Sequence, residues 1–400
     1  MIGKESIVYS LRNLKNRKTR SMFTIFSIMA GITTIFIFVS FGLGLYKYID
    51  DISSGSSADK ILIQPKGIGL GGMDTTFSFS EDDLQAVERT SGVYEATGTY
   101  FKVVEVKQNK KIGYSYLISY DPKKPLLLEL SDLNIAKGRQ LKSGDRGILL
   151  GYNYMIPDKI FSKAYSLNQN IEINGIKLKI IGFFKPVGNP QDDAQAYVTN
   201  DLMEELFDGN LSYNWIVAKV DVSKIDNVVK NVERSLRKER GIEEGKEDFY
   251  AQSFDDMIAS YSSILDIVVG FVILIALISV LVSSINTANT MITSVLERTK
   301  EIGIIKSLGG KNSEVFSIFL FESSFLGFIA GGIGVALGWF FSFIGGKIIS
   351  ALGYSFLSPY FPAGLFFACI SFAVLTGAIS GVIPAIKASK TNPVETLRYE

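Results

Sequence analysis

Four stretches of this chain are apolar and free of charge over lengths that exceed the needs of an ordinary core helix. No charged residue lies between Arg20 and Lys47, between Asp266 and Glu297, or between Glu322 and Lys347; a fourth stretch runs uncharged from Ile348 to Ile386. A helix of about 20 largely apolar residues crosses the hydrocarbon core of a bilayer. The fourth stretch has room for a loop, SFLSPYFPAG, and a crossing at about Leu365–Ile383. These lengths predict a multi-pass α-helical membrane protein with four transmembrane helices, at 21–47, 263–296, 313–346 and 364–386. The first is too long for the apolar region of a signal peptide and lacks an A-x-A site, so it reads as a retained anchor.

Basic residues in the short flanks set the orientation. Lys4, Arg12, Lys15, Arg17, Lys18 and Arg20 precede the first crossing; Arg298, Lys300, Lys306 and Lys311 follow the second; Lys387, Lys390 and Arg398 follow the fourth. Four crossings put all three groups on one side, so both termini are expected in the cytoplasm of a cell (plasma or inner) membrane. The outer loop, 347–363, offers only Lys347. Ile7, Val8, Leu11 and Leu14 recur at helical spacing within residues 1–20, which suggests an amphipathic helix lying along the inner surface.

Residues 48–262 then form a large extracytoplasmic domain between helices 1 and 2, read as α+β. ADKILIQP and VYEATGTYFKVVEV read as strands, with the helix SEDDLQAVERT between them carrying Ser80 as N-cap and Asp83 three residues on. GILLG, NIEINGIKLKIIGFF and AQAYV are further strands, and Asn174-Gly175 is a strong hairpin turn signal. YNWIVAKVD reads as a strand and SKIDNVVKNVERSLRKERG as a helix with the stripe Ile225, Val228, Val229, Val232 and Leu236. DFYAQSF is a last strand leading into a helix continuous with the second crossing. Strand–helix–strand units thus flank a strand-rich middle, at about 108–205.

The residue inventory excludes much chemistry. The sequence has no histidine and one cysteine, Cys369, which leaves no Cys/His zinc site, no intrachain disulfide and no His-based general base. Net charge is +1, too small for a field that would gather nucleic acid. GIGLGG at 67–72 fits G-x-G-x-x-G but is followed by MDTTFSFS rather than a helix, so it reads as a loop. No G-x-x-x-x-G-K-[ST] occurs, and no catalytic constellation or metal cluster stands out; an enzyme is not expected. Asn210-Leu211-Ser212 fits a glycosylation sequon, meaningful only in a glycosylating compartment.

Small residues recur every four positions in the last two crossings: Gly327/Gly331, Gly334/Gly338 and Ala373/Gly377/Gly381. Such rows let helix backbones approach closely, either inside one chain or across a dimer interface. Glu322 lies about two turns into the third crossing and reads as facing a protein interior or the inner headgroups. Asn286 and Asn289 read as bonding neighbouring helices.

Between the second and third crossings sits ERTKEIGIIKSLGG, at 297–310. Its charges keep it out of the bilayer, at about 3 kcal/mol each, yet its pattern is helical. Glu297–Lys300 and Arg298–Glu301 are i,i+3 pairs; Ile304, Ile305 and Leu308 make an apolar edge; Gly309-Gly310 supply a stop. So short a helix is marginal alone, so the edge must dock, on its own crossings, on headgroups or on a cytosolic partner.

These features together resemble the MacB/LolC-type permeases of ABC transporters, with FtsX as a more distant relative. The likeness is carried by the topology, the R-x-x-E-I-G-x-x-K-S-L-G segment, the N-terminal NLKNRKTRSMFTIFSIMAGI, KGRQLKSGDRGILLG with IKLKIIGFF, and the ending GVIPAIKASKTNPVETLRYE. It implies an extracytoplasmic domain with porter-like parts at about 56–107 and 206–255 and an inserted β-rich part at about 108–205. It implies that 297–312 is a coupling helix whose Arg298, Glu301, Ile302, Gly303, Ile305, Lys306, Leu308 and Gly309 engage a separate cytosolic ABC ATPase, present in two copies. ATP and Mg would sit on that partner and no cofactor on this chain. Gly327, Gly331, Gly334, Gly338, Gly377 and Gly381 would serve helix packing or a dimer, homodimeric or with a related permease. The tail would be 387–400. The implied activity is mechanotransmission: ATP-driven motion passed to the outside domain to export or extract a lipoprotein, lipid, peptide or drug, with a periplasmic adaptor or lipoprotein as a further candidate partner. One alternative is an FtsX-like regulator that activates an envelope hydrolase without transport; a second is an ATPase-independent membrane receptor or scaffold.

Overall fold

The computed structural model describes residues 18–53, 58–66, 78–209 and 211–392. The amphipathic stretch Ile7–Leu14, the GIGLGG loop, Asn210 of the sequon and the ending Pro393–Glu400 lie outside the described residues. In chain order the elements are α1 (Lys18–Ser53), β1 (Lys60–Pro65), α2 (Glu81–Glu88), β2 (Val93–Thr99), β3 (Phe101–Gln108), β4 (Lys111–Tyr120), α3 (Leu126–Leu130), β5 (Ile135–Gly138), β6 (Gly147–Leu150) and β7 (Asn170–Ile173). There follow β8 (Ile176–Phe184), β9 (Ala196–Thr199), α4 (Asn200–Leu206), β10 (Trp215–Val220), α5 (Ile225–Arg240), β11 (Phe249–Ser253), α6 (Phe254–Glu297), α7 (Thr299–Ser307), α8 (Asn312–Ala351) and α9 (Ala363–Ser389). Helices α1, α6, α8 and α9 are each long and apolar enough to cross a membrane. Two compact units result. Of the described residues, the helical unit gathers those up to Tyr46, Ile264–Ile349 and those from Leu357 onward; the sheet unit gathers those within Lys47–Ser263 and Ser350–Phe356.

In the sheet unit, β11-β1-β10-β2 form a four-stranded antiparallel sheet. Helices α2 and α5 cover one face through Leu84, Val87, Val228, Val232 and Leu236. The start of α2 is fixed as its sequence predicts: Ser80 Oγ accepts from Asp83 N and the Asp83 carboxylate accepts from Ser80 N, a reciprocal capping box. The second sheet runs β5-β8-β6-β9-β4-β3-β7, and an added β7–β8 pairing closes it into a ring. Its interior is packed by Val104, Val106, Leu117, Ile148, Leu150, Ile171, Ile180 and Val198. Asn174 and Gly175 turn between β7 and β8 with φ of 47° and 81°, the left-handed pair a two-residue hairpin demands.

VYEATGTYFKVVEV, read as one strand, is two. The chain changes sheets at Tyr100, so the seven-stranded part begins at Phe101 and not near 108. Ala96 to Phe101 are buried without interruption, so no change of pattern marks the switch, and tertiary bonds make the break. Tyr100 N donates to Ser119 Oγ at 2.9 Å, Phe101 N to Asn214 Oδ1 at 2.7 Å, and the Tyr100 and Tyr213 rings stack 4.7 Å apart. Burial, with the bond donated to Glu204, pushes the Tyr100 phenol far above its usual range. The two sheets also share one core, in which Phe101, Ile118, Leu126, Leu127 and Leu128 meet Val217 and Phe254. Lys60 of β1, 1% exposed, reaches Asp59 at 2.7 Å and Glu129 of α3 at 3.0 Å.

Helix α6 starts inside that shared core. Ser253 Oγ and the Asp256 carboxylate cap it reciprocally, and Phe254, Met257 and Ile258 pack with Val217. It runs unbroken from Phe254 to Glu297, 44 residues in all. The other apolar helices also overrun the charge-free stretches. In particular α8 reaches Ala351, so the loop expected at 347–363 is helical at its start. Residues Ser350–Phe356 pack into the sheet unit: Phe356 N donates to Gly188 O at 3.3 Å and Lys159 Nζ to Ala351 O at 3.3 Å.

Candidate functional site

The charged segment after α6 folds as a kink, a short helix and a stop. Arg298 is the single non-helical residue between α6 and α7, at φ −110° and ψ 13°. Helix α7 is nine residues long, shorter than the 297–312 expected from the sequence. At its end Gly309, at φ +92°, donates to Lys306 O at 3.1 Å while Gly310 N donates to Ile305 O at 3.0 Å. That crossed pair is a Schellman stop, which needs a left-handed residue at Gly309. A side chain at Gly310 would meet the Ile305 carbonyl at 2.7 Å, so both glycines have a backbone reason to be glycine.

The eight residues expected to meet a partner divide into two faces. Arg298, Ile302 and Gly303 are buried within the chain. Ile302 packs with Met291, Val295, Val315, Phe319, Ala385 and Ala388, the neighbouring ends of α6, α8 and α9. Ile305 joins this cluster from its edge. Lys306, half-buried, donates to Ser389 O at 2.8 Å and Thr391 O at 2.7 Å, where α9 ends. A cation at the carbonyl end of a helix is electrostatically favoured there. The outward face is Glu301, Leu308 and Gly309, joined by Ile304 at 50% exposure; Leu308 is 83% exposed.

Arg298 therefore departs from a surface role. Its Nη1 donates to Glu322 Oε2 at 2.9 Å and its Nε to Glu301 Oε2 at 3.1 Å, and the guanidinium lies 5.1 Å from the Phe319 ring centroid. Glu322 is buried and faces the protein interior. Asn286 and Asn289 are exposed on α6 rather than turned to neighbouring helices. Glu322 was legible as the one carboxylate in an uncharged stretch of opposite sign to Arg298, but the 24-residue separation hid the pairing.

The six glycines all close contacts inside the chain. An added Cβ at Gly327, Gly331, Gly377 or Gly381 would strike the α8–α9 contact, at the backbone or side chains of Ala373, Ser323 or Gly327. Gly334 and Gly338 face α1 instead, where a Cβ would meet Met29 O at 2.9 Å and Phe36 Cβ at 2.8 Å. Close backbone approach is what small residues supply between apolar helices.

Two family descriptions match the chain: a MacB-like periplasmic core domain over residues 21–235 and an FtsX-like permease C-terminal region over 273–393. An uncharacterised ABC transporter permease of Methanocaldococcus jannaschii is 30% identical over 98% of both chains. The uncharacterised ABC transporter permease YknZ of Bacillus subtilis is 26% identical over 99% of both. The macrolide export ATP-binding/permease protein MacB of Marinobacter nauticus is 25% identical over 99% of this chain, which spans 61% of MacB's length. Among solved structures, the periplasmic region of MacB from Actinobacillus actinomycetemcomitans aligns with 54% of this chain, covering 98% of its own, at TM-score 0.42 and 14% identity. These sequence matches define a membrane protein that is a component of an ABC transporter. The chain belongs to the FtsX-like permeases with a MacB-like periplasmic core domain.

Proposed function

We propose that this chain is the permease subunit of an ABC transporter that works by mechanotransmission. In this reading α1, α6, α8 and α9 cross a cell membrane with both termini in the cytoplasm, and the sheet unit lies outside. A cytosolic ABC ATPase in two copies, holding ATP and Mg, docks on Glu301, Ile304, Leu308 and Gly309. The exported or extracted substrate is a lipoprotein, lipid, peptide or drug, the range a porter-like domain serves, with an adaptor or lipoprotein as an outside partner. Two permease chains, identical or related, meet through apolar surface outside the glycine rows, and α6 exposes Ile267, Phe271 and Leu281.

The observation that carries the reading is α6. Its first turns are held in the sheet-unit core by Phe254, Met257 and Ile258, and its last residue adjoins the kink at Arg298. The part of α6 in the helical unit, Ile264–Glu297, is about 50 Å long at 1.5 Å per residue, more than the thickness of a hydrocarbon core. In this reading displacement at the α7 end passes along α6 to the sheet unit, with no pore for substrate.

The test is capture from native membranes. The tagged wild-type chain is expected to bring down a P-loop ATPase whose hydrolysis rises when the complex is reconstituted in nanodiscs. Leu308→Arg places a charge on the exposed apolar edge, and retention of the ATPase is expected to fall at least tenfold. Equal retention by that variant, or a wild-type complex without an ATPase, overturns the reading. An envelope hydrolase activated without any transported substrate would favour the FtsX-like regulator instead.

A further inference from the structure

We propose that Arg298 and Glu322 form the joint that makes α7 one body with the ends of α6, α8 and α9, so that Arg298 transmits force and does not bind the ATPase. The inference rests on the docking role proposed for α7 and adds a division of labour within it.

Geometry separates the two faces of this helix. Arg298 stands at the only kink between α6 and α7, and its one guanidinium reaches Glu301 of α7 at 3.1 Å and Glu322 of α8 at 2.9 Å. Its side chain is 3% exposed and that of Glu322 is 7%, so neither offers an atom to a cytosolic protein. The Arg298 guanidinium carbon lies over the ring of Phe319, one turn before Glu322 on α8, at 5.1 Å from its centroid. A planar fork that binds two acceptors and stacks on a ring fixes orientation as well as distance, which a lysine ammonium does not do.

The far end of α7 is fastened independently. Lys306 closes the carbonyl end of α9 through Ser389 O and Thr391 O. Between the two cations, Ile302 seats the underside of α7 in the apolar cluster of Met291, Val295, Val315, Phe319, Ala385 and Ala388. A nine-residue helix has little rigidity of its own in water. Fastened at both ends and underneath, it cannot bend alone when Ile304 and Leu308 are pushed. The load passes to α8 through Arg298, to α9 through Lys306 and to α6 through the kink.

The test separates binding from transmission in the reconstituted full-length permease–ATPase complex. Arg298→Gln is expected to leave the ATPase dissociation constant within twofold of wild type and to reduce permease-stimulated ATP hydrolysis about tenfold. Arg298→Lys keeps the charge without the fork and is expected to fall between the two. The exchange Arg298→Glu with Glu322→Arg restores the pair with reversed sign and is expected to recover at least half the lost stimulation, which also guards against a single variant that fails to fold. Hydrogen exchange at the α7 amides should rise in Arg298→Gln and return towards wild type in the exchange variant. Weakened ATPase binding by Arg298→Gln to the extent seen for Leu308→Arg would make Arg298 a docking residue and overturn the inference. Unchanged stimulation in Arg298→Gln, or an exchange variant no better than its single changes, also overturns it. Failure of the wild-type chain to bind any ATPase strikes the docking role itself and is read separately.

Discussion

Among the described residues two buried cations, Lys60 and Arg298, each sit at a junction, and they do so under different conditions. Lys60 ties β1 of the four-stranded sheet to α3 of the seven-stranded part, while Arg298 ties α7 to α8. Both cations are almost fully covered, but their acceptors are not alike. Asp59 and Glu129 remain 30% and 42% exposed, so water shares them; Glu322 is 7% exposed, and its covered oxygen is held by Arg298. The sheet unit can thus lose its cation and rehydrate the carboxylates left behind. In the helical unit, removing Glu322 leaves the covered guanidinium with Glu301 but in a low-dielectric interior, where breaking a buried pair is costly. Apolar packing serves both junctions, with Phe101, Ile118, Leu126 and Val217 in one core and Ile302, Val315 and Phe319 in the other, but only the second also encloses both partners of its ion pair.

The comparison predicts unequal costs. Glu322→Ala should lower the stability of the helical unit by about 3 kcal/mol, the low end of the range for breaking a buried pair, because Glu301 still holds the guanidinium. Cys369, the only cysteine and buried in α9, reports this directly: the denaturant needed to expose it to a thiol reagent in detergent should drop sharply. A drop no larger than that of a surface substitution would place the Arg298 joint on the same footing as Lys60. Lys60→Met should cost only about 1 kcal/mol, because the freed carboxylates face water and the methionine stem fills the same volume. Trp215, next to that core, follows it by fluorescence during urea unfolding in a Trp339→Phe background. A loss as large as that of Glu322→Ala would mean that charge also carries the sheet-unit junction.

Much of this organisation could be read from the chain because it rests on local or periodic signals. Absence of charge marked the four apolar helices, Ser80 and Asp83 marked a helix start, Asn174-Gly175 marked a turn, and the stripe on α5 marked its buried face. What escaped depends on long-range pairing. The switch of sheets at Tyr100 lies within a continuous buried run and is set by Asn214 and Ser119, distant in sequence. The short α3, with only five residues, has no period to detect. In the candidate site, the charge pattern of 297–310 located the helix but could not say which side faced inward. Arg298 looked like a surface residue because its partner lies 24 residues on, in a segment otherwise without charge. The glycine rows showed where backbones approach, and the structure shows those backbones belonging to one chain.

The central claim is that motion supplied at α7 reaches the sheet unit. It is tested most directly by pulsed electron resonance on two permease copies in nanodiscs with the ATPase bound. One nitroxide per copy is carried on Tyr114→Cys, at an exposed site of the sheet unit, in a Cys369→Ser background. The account predicts that the label-to-label distance distribution shifts by about 5 Å, the scale of one helical turn, when ATP is added. The shift should vanish when Leu308→Arg is introduced. A distribution unmoved by ATP while the bound ATPase turns over would contradict it.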